Sequence, residues 1–207
     1  MLRRFTIETI DLRRIDTLKV DAIVLPLFQE VAQPQGVAGY FDWRLCGRLG
    51  RLISSAQFTG TRGELMLLSY AARVGPKQLF LYGLGKPKLR PADQCHFELQ
   101  EILKVVTDSG SKSVAIAVPQ PHAVETLCNW IQTPRLLDAN ISEIMIMDAD
   151  EILQSGRQKV QALLKKTGLS KLSEKSLGPS ASRKKQAPKE KTKSKKKTKP
   201  SAPISKT

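Results

Sequence analysis

The chain has 207 residues, room for one domain of ordinary size and a tail. Its 34 Lys+Arg outnumber 19 Asp+Glu, a formal charge of +15, and its 41% hydrophobic residues suffice for a lightly aromatic core. From Lys165 onward 15 basic residues face 2 acidic ones, so the first 164 residues keep 19 and 17 and are nearly neutral. The longest apolar run, residues 22–28, is far short of the roughly 20 residues of a membrane span. Glu8, Asp11, Arg13 and Arg14 interrupt any signal-peptide core after Met1. Cys46, Cys95 and Cys128 show no CxxC spacing, which excludes a disulfide scaffold and a zinc ribbon. They read as small buried residues of a reduced, cytoplasmic protein.

Residues 5–9 place apolar side chains at every second position, the mark of a half-exposed strand. Residues 20–28 are almost wholly apolar, as a strand buried on both faces must be. After the turn at Gln33-Pro34-Gln35-Gly36, Asp42 is an N-cap candidate for a helix carrying Phe41, Leu45, Leu49, Leu52 and Ile53 on one stripe. Strands are expected at 64–69 and 78–82, the second running into Gly83-Leu84-Gly85-Lys86. Pro91 suits the first position of a helix that buries Leu99, Ile102, Leu103 and Val106. A strand at 113–118 and a helix opened by Pro121, with Val124, Leu127, Cys128 and Ile131 inside, follow. A buried strand at 141–147 precedes a last helix, launched by Asp148 and Glu151 as a capping box and stopped by Gly168.

Six strands interleaved with four helices indicate a three-layer α/β/α domain on a largely parallel or mixed sheet. Residues 1–167 form this domain. Residues 168–207 are rich in Lys, Ser, Pro, Thr and Ala, and no aromatic residue follows Trp130. Such a segment buries too little apolar surface to offset its ordering entropy, so a disordered tail is expected.

The stretch 36–86 resembles the N-terminal domain of the leucyl (cytosol) aminopeptidase family. The resemblance rests on Gly39-Tyr40-Phe41-Asp42, Cys46-Gly47-Arg48-Leu49, Phe58-Thr59-Gly60, Gly63-Glu64-Leu65-Met66-Leu67-Leu68 and Leu81-Tyr82-Gly83-Leu84-Gly85-Lys86. It implies a macro-domain-like mixed sheet between helices. In that family a second, C-terminal domain binds two metal ions and performs the hydrolysis. Its Asn-Thr-Asp-Ala-Glu-Gly-Arg motif does not occur in this sequence. The resemblance therefore implies the non-catalytic half, with no metal, no cofactor and no peptidase activity of its own.

Two glycine-bearing segments are candidate ligand loops. Gly83-Leu84-Gly85-Lys86 follows a strand and precedes a helix, where backbone amides and a lysine can cradle an anion. Gly36 and Gly39 precede the first helix and would share that sheet edge. In macro-domains such loops hold ADP-ribose, which makes a nucleotide-like ligand an alternative reading. Against it, Pro26-Leu27-Phe28-Gln29 stands where an Asn-Ala-Ala-Asn-type segment would be expected. Arg44, Arg48 and Arg51 form a basic stripe at helical spacing that reads first as a solvated face. Cys95-His96 with Glu98, and His122 with Cys128, lack zinc-site spacing and read as structural.

The tail is the strongest physical signal. Residues 183–199 hold Arg183, Lys184, Lys185, Lys189, Lys191, Lys193, Lys195, Lys196, Lys197 and Lys199. Such a run neutralises phosphates and releases counterions, and with no aromatic residue to stack on bases it is non-specific. The expected partners are nucleic acid or another polyanion through the tail, and a protein, an aminopeptidase among the candidates, through the body.

Overall fold

The computed structural model describes residues 2–68, 75–88, 90–120, 122–134, 136, 140–148 and 156–169. Six strands form one sheet: β1 (Arg4–Thr9), β2 (Ala22–Leu27), β3 (Leu65–Leu68), β4 (Gln78–Gly83), β5 (Ser113–Ala117) and β6 (Glu143–Asp148). Their order is β1-β6-β5-β2-β4-β3. Every neighbouring pair is parallel except β3 with β4, so the sheet is mixed. The described helices are α1 (Leu12–Ile15), α2 (Gly36–Arg44), α3 (Arg48–Ser54), α4 (Ala92–Asp108), α5 (Ala123–Ile131) and α6 (Arg157–Lys166).

Both faces of the sheet are covered, and the alternation along each strand sorts the core into two layers. Ala22, Val24, Phe80, Val114, Ile116, Ile144 and Ile146 pack with the apolar stripes of α4, α5 and α6. Ile23, Leu25, Leu79, Leu81, Ala115, Met145 and Met147 pack with Phe41 and Leu49 of α2 and α3. The near-continuous apolar run of β2 follows directly: a strand buried on both faces has no polar side to present.

β2 and β5 are clamped at one end and part at the other. Asp21 Oδ2 accepts the Lys112 N–H, the Ser113 N–H and the Ser113 hydroxyl, all at 2.9 Å. These bonds hold the Asp21 carboxyl below its ordinary range. Pairing with β5 then runs only from Ala22 to Val24. Pro26 lies past that point, where a missing N–H breaks no ladder bond.

Several local expectations shift. The helix expected from Asp42 begins earlier, at Gly36, and breaks at Cys46 and Gly47, whose φ angles are +57° and +73°. Asp42 still caps, but at a distance: its carboxylate accepts the Gly50 N–H at 3.0 Å in the first turn of α3. Cys46, expected inside, is exposed because it sits on that break, whereas Cys95 and Cys128 are buried. Pro91 is the N-cap of α4 rather than its first residue. The short α1 was not expected; Asp11 caps it by accepting the Arg13 and Arg14 amides. Asp148 closes β6 and is buried, while Glu151 and Pro121 lie outside the described residues. Gly168, at φ +77°, stands just past the end of α6 as the stop expected there.

Three backbones cross at the end of the sheet where the parallel strands finish. A Cβ on Gly83 would lie 2.0 Å from the Thr61 carbonyl oxygen, and one on Gly60 would lie 2.7 Å from that of Phe28. Gly63 does a different job. Its φ of +77° makes the bulge at which its N–H, donating to the Gly83 carbonyl at 2.9 Å, starts β3. A Cβ there meets nothing within 4 Å. Gly83→Ala is therefore expected to lose about 3 kcal/mol of stability by overpacking. Gly63→Ala should lose only about 1 kcal/mol through its left-handed backbone. Urea titrations of the two variants check this order, and equal losses would refute it.

Candidate functional site

Gly83, Leu84 and Gly85 lie at the sheet end, and the structure shows where their amides go. Gly83 N–H donates to the Glu64 carbonyl at 2.8 Å, Leu84 N–H to that of Leu27 at 2.9 Å, and Gly85 N–H to that of Gly60 at 2.9 Å. The Gly85 carbonyl in turn accepts the Gln29 N–H at 2.7 Å. All three donors are thus spent inside the protein. The Lys86 ammonium is exposed and lies 3.7 Å from Glu30 Oε1. Glu64 completes the knot, its carboxylate accepting the Thr59 N–H, the Thr59 hydroxyl and the Thr61 N–H at 2.7–3.2 Å.

Gly36 and Gly39 are in the first turn of α2, not in a loop before it. A Cβ on Gly39 would stand 3.0 Å from the Pro34 carbonyl oxygen, so this glycine admits the preceding turn. Beside that turn, where β2 and β5 part, Pro26, Leu27, Phe28, Ala38, Ala117 and Pro119 line a narrow slit. Its volume of about 10 Å³ is the room of a single water molecule. A nucleotide would have to spread these walls.

A buried ionic network closes the same end from the α4 side. Arg90 donates to Glu98 Oε2 at 2.7 Å and to Thr126 Oγ1 at 2.9 Å, and its guanidinium lies 4.9 Å from the centroid of the Phe28 ring. Gln94 donates to the other Glu98 oxygen at 3.0 Å, and Arg62 approaches it at 3.8 Å. The side chains of Arg90 and Glu98 are 4% and 0% exposed, so neither is available to a ligand. Burial pushes the Glu98 carboxyl above its ordinary range, and Arg90, Gln94 and Arg62 pull it partway back. Burial also raises the neighbouring Cys95 thiol, which keeps it an unreactive core residue.

From sequence, Glu98 reads only as a metal-like neighbour of Cys95 and His96. Its spacing carries the burial signal: three residues after Cys95 and four before Ile102, it falls on the buried stripe of α4. Arg90 carries no such signal, because its partners come from α4, α5 and the segment after β2. Arg90→Met leaves Glu98 buried without its main counter-charge, an expected loss of about 3–5 kcal/mol at neutral pH. Because the folded-state pKa of Glu98 is raised, stability is favoured below its unfolded value and falls as pH rises through the folded one. The variant should therefore recover part of its loss on mild acidification. Thermal melts across that range check it, and a pH-independent deficit would contradict it.

The basic stripe does not survive as one surface. Arg44 belongs to α2 and pairs with Asp16 at 2.7 Å, while Arg51 belongs to α3 and donates to the Cys46 carbonyl at 2.8 Å. The break at Cys46 and Gly47 separates them, with Arg48 opening the second helix. The ten basic residues of 183–199 lie outside the described residues. Among the described residues, no three His, Cys, Asp or Glu side chains gather as a metal site would require, and no helix is long and apolar enough to cross a membrane.

Comparison with known proteins bears on the whole arrangement. Residues 24–130 match the model of the cytosol aminopeptidase family, N-terminal domain. A probable cytosol aminopeptidase of Alkaliphilus metalliredigens is 26% identical over 123 residues, which are 59% of this chain and 23% of that protein. One from Cupriavidus necator is 40% identical over 68 residues, 33% of this chain and 13% of its own length. The chain thus spans less than a quarter of the length of these relatives. A Trypanosoma brucei macrodomain solved in complex with ADP superimposes with a TM-score of 0.56 at 16% identity, covering 80% of this chain and 69% of that one. A tomato leucine aminopeptidase mutant gives 0.50 at 15% identity, covering 81% and 37%. At such identities the structural likeness speaks for the fold, which is macrodomain-like. With more than half its residues matched in this way, the chain belongs to the cytosol aminopeptidase family through that family's N-terminal domain.

Proposed function

We propose that this chain is a non-catalytic binding module that uses the family's N-terminal domain as a body and its basic tail as a non-specific anchor for nucleic acid. The observation that carries this reading is the charge distribution. Of 34 basic residues, 15 lie from Lys165 onward beside only 2 acidic ones. A segment of that charge density gains affinity by releasing counterions from a polyanion. The match to the family lies in its N-terminal domain, which supports binding rather than hydrolysis.

The body supplies a second contact in this reading, with a protein. Trp43, on α2, is 68% exposed. Large apolar side chains held in water are the usual anchors of protein interfaces. An aminopeptidase is one partner the family membership suggests.

Fluorescence anisotropy with a labelled 20-base-pair DNA duplex tests the anchor. The full chain is compared with a variant whose ten basic residues in 183–199 are replaced by Gln. Wild-type affinity is expected to fall steeply with salt, with a log–log slope near −0.9 per phosphate contact. The variant should bind at least tenfold more weakly with a flatter slope. Equal affinity and slope would overturn the tail's role.

A further inference from the structure

The end of the sheet where the parallel strands begin is built differently from the sealed end, and it carries a cleft. Arg3, Gly110, Lys112, Asn140 and Ser142 line it, and its volume is about 470 Å³. Ser142 ties together the backbones of the two basic residues on either side of it. Its carbonyl accepts the Arg3 N–H at 2.8 Å, while its own N–H and hydroxyl donate to the Lys112 carbonyl at 2.7 and 2.8 Å. The Lys112 N–H is held in turn by Asp21 at 2.9 Å. Arg3, Ser142 and Lys112 therefore stand just ahead of the adjacent strands β1, β6 and β5. Strand spacing places Arg3 and Lys112 roughly 10 Å apart across the cleft. Both residues are exposed, and neither side chain makes an ion pair among the described residues.

Two neighbouring acids among the described residues are already committed. Asp21 is spent on the Lys112 and Ser113 amides, and Glu143 pairs with Arg4 at 3.1 Å. Asp108, in the last turn of α4, is a further acidic group near this end in the chain, and Asp138, two residues before Asn140, lies outside the described residues. Lys77, just ahead of β4, adds a further cation and draws the Asp21 carboxyl down by its charge. A cleft flanked by two basic residues whose backbones are tied together, and whose side chains make no ion pair among the described residues, suits a bridging anion.

We infer that this cleft is a fixed phosphate subsite for a nucleic-acid backbone, with Arg3 and Lys112 contacting phosphodiester oxygens and the Asn140 amide donating a further hydrogen bond. It rests on the nucleic-acid reading above and deepens it: the tail supplies diffuse attraction, and the cleft supplies the one rigid point of contact. No base edge is read, so the subsite adds affinity without sequence preference.

The test uses the full chain and the same 20-base-pair duplex at a series of salt concentrations, with Arg3→Gln/Lys112→Gln and a variant combining it with the tail substitutions. Since neither side chain makes a hydrogen bond or ion pair among the described residues, the double variant should melt as the wild type does. It is expected to bind 5- to 20-fold more weakly, with the log–log salt slope shallower by about 1.8 for two lost phosphate contacts. Adding the cleft substitutions to the tail variant should remove the residual binding. Wild-type affinity and slope in the double variant would overturn the subsite and leave the tail reading standing. Undiminished binding by the tail variant, abolished by the cleft substitutions, would overturn the tail reading and leave the subsite.

Discussion

The fold turns on the place where three stretches of backbone pass each other with no side chain between them. Gly60 lies against the Phe28 carbonyl, and Gly83 against that of Thr61, at separations that a Cβ would reduce to 2.7 and 2.0 Å. The contact lets the Gly83, Leu84 and Gly85 amides find carbonyl partners at Leu27 and in the stretch from Gly60 to Glu64. It ties β2, β3 and β4 together just where an open α/β sheet would otherwise leave strand ends unpaired. Arg90, laid over Phe28 and held by Glu98 and Thr126, caps the same end from the helical side.

This arrangement changes the meaning of the glycine-rich strand end. In many α/β proteins such a segment presents amides to a phosphate. Here the amides face inward, and the slit between β2 and β5 has the room of a single water. Glycine serves close approach rather than ligand access. The opposite end of the sheet carries an open cleft flanked by Arg3 and Lys112, which make no ion pair among the described residues. The two ends of one sheet thus have opposite characters, one sealed by backbone and one left open and positive.

Much of this was legible in the residues. The unbroken apolar run of β2 and the 3–4 spacing in α4 and α5 announced a sheet covered on both faces, because burial on both sides leaves no polar period. The family fragments around Phe58-Thr59-Gly60 and Gly83-Leu84-Gly85 were legible as well, and they coincide with the backbone crossing. What escaped notice depends on partners far apart in the chain. The break at Cys46 and Gly47 interrupts a sequence whose apolar spacing continues smoothly into α3. Arg90 and Glu98 meet through tertiary packing, and Arg3 and Lys112 are brought together only by strand order. A linear reading pairs neighbours in sequence, whereas β1, β6 and β5 are neighbours only in the sheet.

Amide hydrogen exchange at Gly83, Leu84 and Gly85, followed by NMR on the full chain, tests most directly whether this sheet end is sealed. Three amides bonded inside the crossing should exchange at least roughly 1,000-fold more slowly than in an unstructured peptide, a protection of about 4 kcal/mol. Their resonances should not move when inorganic phosphate is added. Exchange close to the free-peptide rate, or phosphate-dependent shifts at these three residues, would show that the strand end is an open anion cradle and not a closed knot.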